Sequence, residues 1–540
     1  MLKNYVIVAW RNLLRNRTSS FINISGLAIG MAVAMLIGLW IWDELSYNKS
    51  FDNYDRIAQV MQHQTSNGLK TTFWGLPRPL GQELRNKYGN NFKYVVMASW
   101  PNNTIVTGND KNLSRRGTFM EAVAPHMLSL KMIKGTRDDL KDPHSVLISE
   151  STANAFFGDE DPLNKVLKIR NILDVKVAGV YKDFPYNSEF NNIDFIASWD
   201  LYLTSETWIK NAVDQWDNNS FIIYAQINDH TDFKKVDRNI IHAKFDHDAP
   251  GDRANKAEIF LHPMADWHLR SHWDNGVKTG GLIEYVRLFM IIGVFVLLLA
   301  CINFMNLSTA RSEKRAKEVG VRKAIGSLRK QLISQFFIES LLVVVFAFGL
   351  SLLLSQLFLP WFNEMADKKM HIPWSAPVFW VACFGFSIIT ALISGSYPAL
   401  YLSSFEPVKV LKGAFKTGRL ASLPRKVLVV VQFAISLGLI IGTIVVYNQV
   451  QYTKNRPIGY DRNGLMMIQM KSPDFYGKYD LLKNELINSG GAVNFAESSS
   501  PVTDIYHSND GFSWEGKDPG LSGEFATISV SQEYGKTVGW

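Results

Sequence analysis

Residues 301–342 read CINFMNLSTARSEKRAKEVGVRKAIGSLRKQLISQFFIESLL. An apolar run closes in the polar Asn303, Asn306 and Ser308, a strongly basic helical segment follows, and the chain then climbs into a second apolar run. Gly320 and Gly326 bracket Val321–Ile325. Helix-breaking glycines on either side of a compact basic turn predict a small protruding knob, a shape suited to a groove on a partner. The plainer alternative is a basic loop that only marks the side of a membrane on which it lies.

Working outward, five apolar runs are long enough to cross a hydrocarbon core of about 30 Å, which takes roughly 20 residues of helix. They are residues 21–42, 288–306, 336–362, 378–402 and 427–447. Helices buried in a soluble core rarely repeat five times at such length, and 540 residues exceed what one core encloses. Trp40, Trp42, Trp361, Trp380, Tyr401 and Tyr447 stand at the ends of these runs, where interfacial aromatic belts form. The net charge of +8 comes from Lys and Arg clustered beside the runs, so it reads as topology signal before nucleic-acid binding.

Positive-inside counting gives one alternating path. An amphipathic N-terminus, 1–20, carries Lys3, Arg11, Arg15 and Arg17 on the cytoplasmic side. Residues 43–285 form a large extracytoplasmic domain, 310–333 a cytoplasmic coupling region, and 363–377 a short outer loop. Residues 403–426 return to the cytoplasm with six basic residues from Lys409 to Lys426, and 448–540 lie outside again. The apolar run 21–42 is too long for a signal-peptide core and lacks a small-residue cleavage site, so it is retained. Both cysteines, Cys301 and Cys383, fall inside apolar runs, which leaves the outer domain without a disulfide framework.

Within the outer domain, Tyr54–His63, Val95–Gly108, Asp174–Tyr181 and Ser220–Ile227 read as strands. Ser145–Ser149 reads as a strand running into a helix, Glu150–Phe157, closed by Gly158. The expected fold is a membrane α-helical bundle with a mixed α/β extracytoplasmic domain of two lobes. A faint repeat accompanies it: Tyr54-Asp55-Arg56 returns as Tyr460-Asp461-Arg462, and Val123–Ile133 resembles Val530–Trp540 at nearly the same offset. Residues 448–540 therefore read as the start of a second outer domain, incomplete at Trp540, in which Leu465–Met470 and Phe525–Val530 are strand-like.

Other motifs carry less chemistry. No G-x-x-x-x-G-K-[ST] pattern occurs, and Gly68-Leu69-Lys70-Thr71 lacks its upstream glycine, so no P-loop is expected. His262, His268 and His272 with Asp266 and Asp274 could be drawn as a metal site, but Pro263 interrupts and a structural loop is the better reading. Ser149 and Ser151 flank Glu150 with no His base in the segment, which argues against a hydrolase. Glu339 falls near the inner interface, where ionisation is cheap, and reads as a structural partner of the knob. Pro398 removes a backbone donor from the fourth run and predicts a kink there.

The segment RAKEVGVRKAIGS, 315–327, closely resembles the cytoplasmic signature of the macrolide-exporter and FtsX-like permeases of the ABC superfamily. RNLLRN and SGLAIG within 11–30, VLISESTANAFFG at 146–158, GVYKDFPYNS at 179–188 and GSYPAL at 395–400 resemble that family too. The resemblance implies a permease of the duplicated, eight-span type with a macrolide-exporter-type periplasmic core, in the cell inner membrane. It implies no cofactor in this chain, with ATP and Mg held by a separate ABC ATPase. Coupling to that ATPase would fall on Glu318, Val319, Gly320, Val321, Arg322, Lys323, Ala324, Ile325 and Gly326. The function implied is efflux of a peptide, drug or lipid-linked substrate, with a periplasmic adaptor and an outer-membrane channel as further partners and no nucleic acid. An FtsX-like regulator of a cell-wall hydrolase and a lipoprotein-releasing permease are the alternatives.

The loop charges generate a first prediction. A reporter fused after Asp43 or Asn448 is active only outside the cytoplasm, and one fused after Lys330 only inside; cytoplasmic activity from the outer domain overturns the topology.

Overall fold

A computed structural model describes residues 2–250, 252–310, 312–404, 423–509, 512–518 and 525–540. Most of the loop expected at 403–426 lies outside the described residues. The chain forms two compact units, Met1–Leu45 with Glu284–Arg456, and Ser46–Ile283 with Pro457–Trp540.

The first unit is helical. Five of its helices are long and apolar enough to cross a membrane: Arg17–Leu45, Ile283–Thr309, Arg329–Ala366, Pro377–Ser403 and Lys426–Asn455. In hydrocarbon only such structures satisfy every backbone donor and acceptor internally. Each helix outruns its apolar sequence; Arg329–Ala366, with 38 residues, is about 57 Å long. Leu2–Arg15 is a separate amphipathic helix ahead of the first span, with Ala9 buried and Trp10 packed on Phe346.

Small residues set the helix spacing. A side chain at Gly30 would collide with Ala300, and one at Gly395 would come within 2.9 Å of the Ser340 hydroxyl. Leu27, Met31, Cys301, Met305, Val344 and Ala391 fill the space between these close approaches. Beyond the helix ending at Ala366, Lys368 Nζ sits 3.1 Å from Asp43 Oδ2 and 2.8 Å from Glu44 Oε1, all three side chains nearly enclosed.

The second unit is built on twelve strands: β1 (Ile57–Ser66), β2 (Leu69–Phe73), β3 (Phe92–Ala98), β4 (Asn102–Gly108), β5 (Lys111–Met120), β6 (Met132–Lys134), β7 (Ser145–Ser149), β8 (Val166–Ile169), β9 (Leu173–Tyr181), β10 (Phe195–Ser198), β11 (Ile222–Ile227) and β12 (Glu258–Pro263). Strands β10-β7-β9-β8-β4-β5 close on themselves, because β10 also pairs with β5. An open antiparallel part, β3-β11-β1-β12 with β2 beside β1, joins this ring through Ala98 opposite Met120. The two lobes expected from the sequence are thus two parts of one connected sheet. Alternate residues face two cores: Val95 and Met97, Val146 and Ile148, Ile223 and Ala225 on one side; Val96 and Ala98, Leu147, Ile222 and Tyr224 on the other.

The strand-to-helix step at 145–158 stands where the sequence puts it. Ser149 caps the helix Glu150–Phe157 by accepting from Thr152 N, and Gly158 ends it at φ +58°. Elsewhere the structure corrects the sequence. The strand expected at Tyr54–His63 begins at Ile57, since Arg56 N and Ile57 N both donate to Asn53 O in a turn. The run Val95–Gly108 is two strands, interrupted at Pro101, which has no N–H for a ladder. Leu465–Met470 is not a strand: it pairs with no described strand, and Met466, Met467 and Ile468 are 81, 67 and 72 % exposed. Phe525–Thr527 does form one, β16, paired with β15 (His507–Asn509), β13 and β14 being the hairpin His272–Asp274 and Val277–Gly280.

Residues 457–540 also touch the main sheet. Ile105 N and the Thr104 hydroxyl both donate to Lys471 O, Lys471 Nζ reaches the Ser114 hydroxyl, and Asn171 Nδ2 donates to Asp474. Within the proposed repeat, Asp461 N donates to Val538 O beside the helix Tyr534–Val538, while Asn53 Nδ2 reaches the Ser129 hydroxyl beside the helix Ala124–Met127.

Lys368 supplies the second prediction. Lys368→Met removes the ammonium that bridges the enclosed Asp43 and Glu44, and breaking a buried pair in this way costs about 3–5 kcal/mol. The detergent-solubilised protein should melt several degrees lower, whereas the exposed Lys369→Met should leave the transition in place.

Candidate functional site: a basic knob and an anchored loop

The helix Ser312–Ala324 runs straight through Gly320, which is buried, so Gly320 does not break the chain as its sequence suggests. A glycine inside a helix costs only about 1 kcal/mol, and burial of its neighbours offsets that. Gly326 alone makes the turn, at φ +102°. Its N–H donates to Lys323 O and the Ser327 N–H to Arg322 O, both at 3.0 Å, the paired bonds of a left-handed helix cap. Leu328 then starts the helix Arg329–Ala366, its N–H held by Gln331 Oε1 at 3.1 Å.

The nine residues expected to couple divide into an anchored set and a displayed set. Val319 is buried against Leu332, Phe336, Ala399 and Leu402. Arg322 binds Glu318 at 2.6 Å and Gln335. Gln335 Nε2 donates to Glu339 Oε1 at 3.1 Å, and Asn12 Nδ2 donates to the same oxygen at 3.1 Å. Glu339 is therefore the meeting point of the N-terminal helix and the network behind the knob. Lys323 Nζ caps Ser403 O at 2.7 Å. The displayed set is apolar: Val321 and Ile325, four apart on one helix face, are 46 and 81 % exposed, and Leu328, just outside the nine, is 65 % exposed. Ala324 and Gly326 are exposed beside them. The cavity enclosed by Asn12, Arg322, Gln335 and Glu339 holds about 10 Å³, room for one water at most.

A second cluster lies within the outer unit. Asn48, the third residue after the helix ending at Leu45, is buried at φ +62°, a conformation that asparagine tolerates better than most residues. Its N–H donates to Asn187 O at 3.0 Å, its Oδ1 accepts from Glu189 N at 2.9 Å, and its Nδ2 donates to Met264 O at 3.3 Å. Tyr47 stacks on His268 at 3.7 Å and donates its hydroxyl to Ser188 O. Leu269 O accepts from Ile283 N, the first residue of the next span helix. Burial raises the Glu189 carboxyl above its ordinary range against the lowering pull of His268 and Arg116.

Three distant stretches thus meet at one loop: 46–48, 187–189 and 264–269. The motif at 179–188 and the histidines of 262–274 are visible in the sequence, but their meeting, and the part of Asn48 in it, are not. The Asn and Asp density of NKSFDNYD after an apolar run was the available signal. The histidines separate in space: His262 is buried on β12, with its Nε2 3.1 Å from the Ser271 hydroxyl and burial pushing it down to about 4; His268 stacks; His272 is exposed on β13. Among the described residues no group of three metal-ligating side chains occurs.

Against known families, residues 20–243 match the MacB-like periplasmic core domain and residues 290–407 the FtsX-like permease C-terminal domain. The chain thus carries a MacB-like periplasmic core domain and an FtsX-like permease domain, the make-up of a MacB-like ABC transporter permease. A Macrolide export ATP-binding/permease protein MacB from Acinetobacter baylyi is 24% identical over 279 residues, 52% of this chain and 38% of the relative. Its counterpart from Bdellovibrio bacteriovorus is 30% identical over 129 residues, 22% of this chain and 18% of the relative. The matches therefore span well under half the length of these relatives. A crystallised domain of a permease protein from Porphyromonas gingivalis is 19% identical with a TM-score of 0.35, covering 44% of this chain and 98% of that domain.

Asn48 supplies the third prediction. Asn48→Ala removes both side-chain bonds of a buried residue and leaves the Glu189 N–H without its acceptor, at about 1–3 kcal/mol. Asn48→Gly loses the same bonds but relieves the positive φ, so it should destabilise the outer unit less. Equal melting of both variants and the parent would show the cluster to be incidental.

Proposed function

We propose that this MacB-like permease takes mechanical work from a separate ABC ATPase docked on Val321, Ile325 and Leu328, and uses it to move its outer unit during efflux. The observation that carries the reading is the division of the knob: apolar side chains displayed at its tip, and Val319 and Arg322 fastened behind it. Exposed apolar residues on a basic, well-anchored turn expose area to water at a cost that a partner groove would remove. Work applied at the tip would pass into the helix Arg329–Ala366, because Val319 packs on Leu332 and Phe336 within that helix.

In this reading ATP and Mg act on the partner, the N-terminus and the knob are cytoplasmic, and the protein sits in the inner membrane with its outer unit outside. The substrate class is a peptide, drug or lipid-linked molecule, passed to a periplasmic adaptor and outer-membrane channel. The names of the macrolide-export relatives support efflux over hydrolase regulation or lipoprotein release.

The fourth prediction tests the tip. Ile325→Asp should weaken ATPase association by roughly 2 kcal/mol, about thirtyfold, the size of an interface hot spot. Membrane insertion should be unchanged, because Ile325 is 81 % exposed. ATPase binding and stimulation equal to the parent's in Ile325→Asp and in Val321→Asp would end the docking assignment.

A further inference from the structure

We propose that the outer unit carries a binding surface for a neutral, N-acetylated glycan, formed by Trp74, Trp100 and the amide-rich loop 215–220. Trp74 follows the edge strand β2 and Trp100 follows β3; their rings meet edge to face at 5.3 Å and 78°, yet the residues remain 54 and 38 % exposed. Two large indoles held together at a surface without being covered are unusual, since aromatic rings ordinarily bury their area.

The surface is built and held from beneath. Trp100 Nε1 donates to Ser220 O at 2.8 Å, which fixes that ring against the loop. Gln62, fully buried, donates to Gly75 O at 2.7 Å and to Asn219 Oδ1 at 2.9 Å, so one side chain ties the Trp74 segment and the loop together. Gly75 is required there: any side chain on it would collide with Asn219 O, with the Trp100 ring next nearest. Asn218 is braced in turn, donating to Gln215 Oε1 at 2.9 Å and accepting from the Ser220 hydroxyl at 2.5 Å.

Chemistry selects the occupant. The segments 72–76, 99–104 and 215–220 carry a single charged side chain, Asp217, in a chain that is 20% charged. These segments supply no cation of their own for a phosphate or a phospholipid headgroup, the Lys471 ammonium beside Thr104 being turned to the Ser114 hydroxyl, and too little negative charge for a basic peptide. Exposed indole faces match the C–H face of a pyranose ring, and side-chain amides match the N-acetyl group, which donates and accepts as they do. Preset rings and a braced loop lower the ordering cost of a weak polar ligand.

The assignment stands apart from the docking of an ATPase on Ile325, so failure of either leaves the other in place. The test is saturation-transfer difference NMR on the full chain in lipid nanodiscs, with N,N′,N″-triacetylchitotriose as probe. Transfer to its acetyl methyl and ring protons is expected, with maltotriose, which lacks acetyl groups, giving a clearly weaker signal. Trp74→Ala and Asn218→Ala should each weaken binding roughly three- to tenfold, the size of one stacking or hydrogen-bonding contact. Trp100→Phe, which keeps a ring, should retain part of the response. Absence of transfer, equal transfer to maltotriose, or transfer that Trp74→Ala and Asn218→Ala leave untouched would each overturn the proposal. Preferential binding of the neutral peptide acetyl-trialanine amide would also overturn it, by assigning the surface to protein.

Discussion

A polar side chain near a membrane has only the protein to satisfy it, and the helix Arg329–Ala366 meets that constraint at both ends. Near its start, Gln335 and Glu339 bind Arg322 and Asn12. Just past its end, Lys368 binds Asp43 and Glu44. The partners at both ends belong to the N-terminal part of the chain or to the knob, so the helix is pinned to Leu2–Arg15 at one end and to Arg17–Leu45 at the other. Between the pins Leu27, Met31, Val344 and Ala347 supply apolar contact. Polar clamps with apolar packing between them make these helices one stiff body.

The outer unit follows a similar logic with different means. Strands of the open part and the closed ring share one sheet, and their joint falls at Ala98 and Met120, both buried. The loop 264–269 packs Met264 and Trp267 into the core that holds Phe190 and Tyr224, and it is there that Asn48 and Ile283 are bonded. Two of the outer unit's three chain connections, those at Ser46 and Ile283, are therefore fastened to a single buried loop. A strain arriving through either connection would be felt first by the same few hydrogen bonds.

What was legible in the sequence had a local cause. Apolar runs declare spans because hydrocarbon admits little else, and Ser149, Glu150 and Gly158 declare a helix because caps act within a few residues. What was illegible depended on distant partners. Gly320 reads as a breaker until Val319 is seen packed on Leu332 and Phe336, after which the helix has every reason to continue. Leu465–Met470 has a strand's composition but pairs with no described strand. Asn48 was missed because its importance lies in Asn187, Glu189 and Met264, up to 216 residues away. Residue type alone named the knob's neighbourhood; only packing separates its anchored residues from its displayed ones.

That separation bears on how force could enter the helical unit. A knob held only by its backbone would depend on the single turn at Gly326, the positive-φ residue between the two helices. Val319 lies on the near side of that turn, and Leu332 and Phe336 on the far side, so their contact closes a brace across it. Arg322 to Gln335 is a second brace over the same turn. With both in place the turn and the first coils of Arg329–Ala366 move together, and Asn12 on Glu339 extends the braced region to the N-terminal helix. On the docking proposed for Ile325 and Leu328, these braces are what would carry a displacement from the tip into the helix.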